Sequence, residues 1–79
     1  MSEAEQALRR ALDADSANVA AAYNLCVILS PSRLEEAIGF CRRALASAPG
    51  DPKYSYTYIA IRIRREFLQI CTLIKNRCG

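Results

Sequence analysis

The chain contains no histidine. That removes the usual general base and the commonest nitrogen ligand for zinc or haem, so hydrolase and metalloenzyme chemistry lose their central residue. No enzyme activity, catalytic residue, metal or cofactor is expected. No Cys-x-x-Cys pair occurs either: Cys26, Cys41, Cys71 and Cys78 are spaced 15, 30 and 7 apart. Two disulfides are conceivable, but the spacing matches neither a zinc or redox motif nor a dense secreted scaffold, and the expectation is reduced, mostly buried thiols. No uninterrupted apolar run reaches the ~20 residues of a membrane-spanning helix, because Arg62, Arg64, Arg65 and Glu66 divide the C-terminal hydrophobic stretch. The start, Met-Ser-Glu-Ala-Glu-Gln, is acidic and lacks the basic-then-apolar layout of a signal peptide. A cytoplasmic location is therefore expected.

What remains is a chain of 79 residues and 8.8 kDa, 52% hydrophobic and 24% charged, which is the usage of one small folded domain. Shifted against itself by 33 positions, it aligns Glu3-Ala4 with Glu36-Ala37 and Arg9-Arg10-Ala11-Leu12 with Arg42-Arg43-Ala44-Leu45. Tyr23 then meets Tyr56, and Ile28 meets Ile61. Such matches mark a supersecondary unit that cannot bury its apolar face alone and stacks on copies of itself.

The periodicity is helical. Residues 2–14 open with Ser2-x-x-Glu5, a capping box, and carry Ala4, Ala7, Leu8, Ala11 and Leu12 on one stripe. A second helix follows Asn18, a favourable N-cap, and stops at Ser30-Pro31. Ser32-Arg33-Leu34-Glu35 reads as a second capping box ahead of a stripe from Leu34 to Ala48, ended by Pro49-Gly50. Asp51-Pro52 announces a fourth helix, with proline where its missing amide costs nothing. Residues 54–63 are β-branched and aromatic and alternate as a strand would. Helix is the expectation there, because no second strand exists to pair with and Tyr54, Tyr58, Ile61, Phe67, Ile70 and Ile74 keep helical spacing. The residues alone leave strand as the competing reading, and leave open a break near Arg64-Arg65.

The block Ala22-x2-Leu25-Cys26-x2-Leu29, followed by Ala37-x3-Cys41-x2-Ala44-x4-Pro49, resembles the tetratricopeptide repeat. The resemblance covers about residues 2–58. It implies an all-α fold of antiparallel helical hairpins stacked as a short α-solenoid. Residues 1–15 would be a half repeat, 18–48 a complete repeat, and 51–79 a divergent third-repeat helix with a basic tail. The residues implied to pack within and between hairpins are Ala4, Leu8, Ala11, Ala22, Leu25, Cys26, Ala37, Cys41, Ala44 and Pro49. Those implied to line a partner-binding groove are Tyr23, Asn24 and Val27, with Lys53, Tyr56 and Thr57. Asn24 and Lys53 match part of the family's carboxylate clamp, while Thr57 stands where a second basic residue is usual.

The expected function is a scaffold that binds a protein or peptide partner, without chemistry of its own. Residues 1–52 carry five arginines against seven acids, whereas residues 53–79 carry six bases against Glu66. A basic, amphipathic C-terminal segment acting at a membrane surface or on nucleic acid is the alternative, although neither signal is firm. A truncated piece of a longer repeat protein is another. Self-association through exposed apolar ends is a further expectation. Cys71 and Cys78, near Lys75 and Arg77, read as core filling, with a reactive thiol as the rival reading. The pairs Arg9-Arg10 and Arg42-Arg43 read as partners of helix C-terminal dipoles.

Overall fold

A computed structural model describes residues 2–74. They form α1 (Glu3–Ala14), α2 (Val19–Leu29), α3 (Leu34–Ser47) and α4 (Pro52–Leu73), with no strand among the described residues. The all-α class is thus the class the chain adopts. Cys78 and the basic end of the tail, with Lys75 and Arg77, lie outside the described residues.

Three of the four helix starts are built as the sequence directs. Ser2 Oγ accepts the Glu5 amide at 3.1 Å, Asn18 Oδ1 the Ala21 amide at 3.0 Å, and Asp51 Oδ1 the Lys53 amide at 2.9 Å. Each satisfies one amide that the first turn leaves orphaned, a contribution of about 1 kcal/mol. The box expected at Ser32-Arg33-Leu34-Glu35 does not form: the cap position is Arg33, and it makes no side-chain cap bond. The preceding turn explains this, because the Ser32 and Arg33 amides both close back onto the Leu29 carbonyl at 3.2 and 2.8 Å. The 30–33 segment therefore finishes α2 and leaves Arg33 free to send its guanidinium elsewhere. Residues 54–63 are helix, and α4 runs unbroken through Arg64-Arg65. With no strand to pair with, the run gains more by placing Tyr54, Tyr58 and Ile61 on the core.

Connections of four residues join successive helices, so neighbours in sequence fold back as hairpins. The α2–α3 hairpin holds the centre of the core. Leu25, Leu29, Cys26 and Cys41 are its largest fully buried side chains, and Ala21, Ala22, Ala37 and Ala44 are buried around them. Short side chains on both helices let the backbones approach closely. Leu12 of α1 and Ile61 of α4 complete the cluster from either side, and Leu8 and Ala11 pack against it half-buried. Ala4 and Pro49 do not belong to this packing: both are exposed. Pro49 sits in the α3–α4 connection. In the first turn of α1 it is Glu5, not Ala4, that turns inward.

Cys26 and Cys41 are not thiols. They form a disulfide across the α2–α3 hairpin, with Cα atoms 5.2 Å apart, and no described cysteine is free. The expectation of reduced core cysteines is corrected on this point. Two stripe positions facing each other across an alanine-lined contact fall within the range a disulfide spans, a juxtaposition that linear spacing does not reveal. Cα atoms fill a slab of 43 × 31 × 13 Å, thin enough that every helix keeps one side towards solvent.

Candidate functional site

The side of the slab formed by α2 and α4 carries a tyrosine cluster. Tyr23 projects from α2 and meets the Tyr54 ring edge-on, centroids 5.2 Å apart. Its hydroxyl lies 3.4 Å from Thr57 Oγ1, one turn further along α4. Lys53 places its ammonium 5.0 Å from both ring centroids. A cation shared by two aromatic faces is held by their quadrupoles and keeps its remaining donors outward. Asn24 and Val27, on the next exposed positions of α2, flank this cluster, and Val27 is 47% exposed.

Of the six groove residues expected from the sequence, Tyr23, Lys53 and Thr57 are thus brought together, with Asn24 and Val27 beside them. Tyr56 is not part of the group. It is 77% exposed, and a position two residues from Tyr54 points to the other side of a helix of 3.6 residues per turn. Tyr54 takes its place against Tyr23. The 33-residue shift, which aligns Tyr23 with Tyr56, pointed to the wrong tyrosine, whereas the helical period of the inner stripe already contained Tyr54.

A second polar constellation joins α1 to α3 and had no sequence signal beyond the capping-box pattern. Glu5 is only 3% exposed. Its carboxylate accepts from Arg9, 3.0 Å from Nε and 2.9 Å from Nη2, and from Arg33. Arg9 also reaches Glu36, which lies 3.7 Å from Arg33. Burial pushes the Glu5 carboxyl upward, but hydrogen bonds and charge from Arg9 and Arg33 outweigh it and hold the group below its ordinary range. Arg9 is raised in turn by Glu36 and Glu5. The Arg9 and Arg43 guanidiniums lie 5.4 and 5.9 Å from the Phe40 ring, and Arg43 donates to the Ser16 carbonyl at 3.3 Å. These arginines tie α1 to α3 and do not serve as helix-end charges; no basic residue occupies the last turn of either helix.

On α4, the Tyr58 phenol is held below its usual range by Arg42 of α3 and by Arg62, against the opposing effect of burial. Arg65 crosses to Glu35 at 3.3 Å and bonds Glu66 at 3.3 Å. No group of cysteines and acids among the described residues is arranged to hold a metal ion, and no described helix is long and apolar enough to cross a membrane. Comparison with protein-family models, with curated proteins and with solved structures returns no match.

Proposed function

We propose that the protein is an interaction scaffold, a short TPR-like α-solenoid that takes up a peptide or helix of a protein partner along α2 and α4. The observation that carries the reading is the cluster of Tyr23, Tyr54, Lys53 and Thr57, with Asn24 and Val27 beside it on the open side of α2. Tyrosines presented on rigid helices lose little conformational freedom on binding, Asn24 offers a donor and an acceptor to an extended backbone, and Lys53 offers a cation to a carboxylate. The solenoid arrangement is supported by matching ties between alternate helices. α1 lies beside α3 through Glu5, Arg9, Arg33 and Glu36, and α2 lies beside α4 through Tyr23.

Peptide display against the immobilised protein tests the proposal. Selected peptides should lose about tenfold or more in affinity on Tyr23→Ala or Asn24→Ala, which removes one anchor or one bidentate contact each. Binders indifferent to both substitutions, or none after repeated selection, would refute it.

A further inference from the structure

α4 is apolar on two opposite sides. Tyr54, Tyr58 and Ile61 face the core. Tyr56, Ile59, Ile63, Phe67, Ile70 and Ile74 recur at intervals of three and four residues and are 49 to 77% exposed. At 100° per residue these six fall within one sector, diametrically across from the core-facing side. A helix with two apolar sides belongs between two layers, and the described residues of this chain supply only one.

We infer that the second layer is another copy of the same chain, seated as an antiparallel α4–α4 pair with its twofold axis at Arg64. The stripe spans about 27 Å, so its occupant must be a helix of comparable length. α1, α2 and α3 have 12, 11 and 14 residues, while α4 has 22. The area fits as well: the exposed stripe amounts to roughly 600 Å² on each copy, which brings a symmetric pair to the lower bound of specific interfaces, about 1,200 Å² in total. It also lies at the upper end of what a soluble monomer ordinarily leaves open as one patch.

Charge fixes the register. Arg62 and Glu66 lie one turn apart along the same edge of the stripe. In an antiparallel pair centred on Arg64, Arg62 of each copy stands level with Glu66 of the other, giving two reciprocal ion pairs. The same register interleaves the apolar residues, because Phe67 of one copy falls level with Ile61 of the other. There the surface has a depression lined by Tyr58, Ile59, Arg62, Ile63 and Glu66. Ile59, Arg62, Ile63 and Glu66 are spaced i, i+3, i+4 and i+7, the four-residue hole into which a knob from a facing helix inserts. Arg65, which bonds Glu66 within the chain at 3.3 Å, leaves its second carboxylate oxygen for the partner. Arg64 lies on the other edge and meets its own counterpart across the axis, a repulsion its long side chain relieves by extending into water.

The full chain, with its Cys26–Cys41 disulfide intact, should show concentration-dependent dimerisation by light scattering after size exclusion and by sedimentation equilibrium. Phe67→Ala should weaken the dimer about tenfold or more. Arg62→Glu and Glu66→Arg should each weaken it by a similar factor, since either turns both ion pairs into repulsions, and the double reversal R62E/E66R should restore it. Arg64→Gln should tighten it. Thermal melts followed by circular dichroism identify any variant that fails to fold, and the rescue in the double reversal remains decisive among those that do. A monomer up to about 1 mM, the weak end of the affinity scale, would overturn the proposal. So would single reversals without effect, or a double reversal no better than either. A monomeric chain that co-sediments with phosphatidylserine vesicles but not with phosphatidylcholine vesicles would overturn it in favour of a membrane-facing stripe.

Discussion

Replacing both bridge cysteines in a C26A/C41A variant removes the one covalent tie between α2 and α3. The bridge closes a loop of 15 residues, and in the chain-entropy account a loop of that length restricts the unfolded state by about 3 kcal/mol. For a domain of this size 1 kcal/mol moves the midpoint by roughly 4–8 °C, so the loop alone corresponds to roughly 12–24 °C. Substitution also removes two sulfur atoms from a site where both residues are at most 1% exposed, so the variant by itself overstates the bridge. Thermal melts of the wild type and of C26A/C41A, each with and without a phosphine reductant, separate the contributions. Only the wild type can lose the 26–41 loop on reduction, and cysteines common to both proteins respond equally. The wild type should therefore fall by about 12–24 °C more than the variant on reduction. Burial makes a kinetic prediction too: reduction should be slow in native buffer and fast in denaturant, because the sulfurs become accessible only on opening. Equal responses to reductant in the two proteins, or alkylation of Cys26 and Cys41 in unreduced, denatured protein, would refute the bridge.

Leu25 lies at the centre of the core, fully buried; Leu25→Ala should cost about 2–5 kcal/mol in urea unfolding, and a loss below 1 kcal/mol would contradict the packing. The Glu5 carboxyl is held below its ordinary pKa, so its share of stability is present above that ordinary value and is lost as pH falls through the lowered one. Urea midpoints from pH 7 to pH 2 should drop more steeply for the wild type than for Glu5→Gln, and parallel profiles would show that Arg9 and Arg33 do not grip the carboxylate. Arg33→Ala leaves that buried carboxylate with one partner fewer, so it should destabilise the protein more than Arg10→Ala, at an exposed position, with equal midpoints as the contrary result.

Local signals carried the helices. Ser2, Asn18 and Asp51 are short oxygen-bearing side chains placed one residue ahead of a helix, and each caps the helix it precedes. The stripe through Ala37, Cys41 and Ala44 marked the buried side of α3 because that side is set by a 3.6-residue period. The capping box at Ser32 failed because hydrogen bonds to the Leu29 carbonyl compete for the same short segment. Glu5 was read as half of a local cap, since its attraction to Arg33 acts across 28 residues of sequence.

The sequence by itself determined where α1, α2 and α4 begin and which stripe of α3 is buried, because caps and periodicity act within a turn or two of the chain. Tertiary structure alone decided that Cys26 meets Cys41, that Tyr54 and not Tyr56 stands against Tyr23, and that α4 presents a second apolar side with nothing over it among the described residues. Those outcomes depend on how helices rotate and pair in space. Rotation and pairing are settled by the shared filling of one core and not by any single segment.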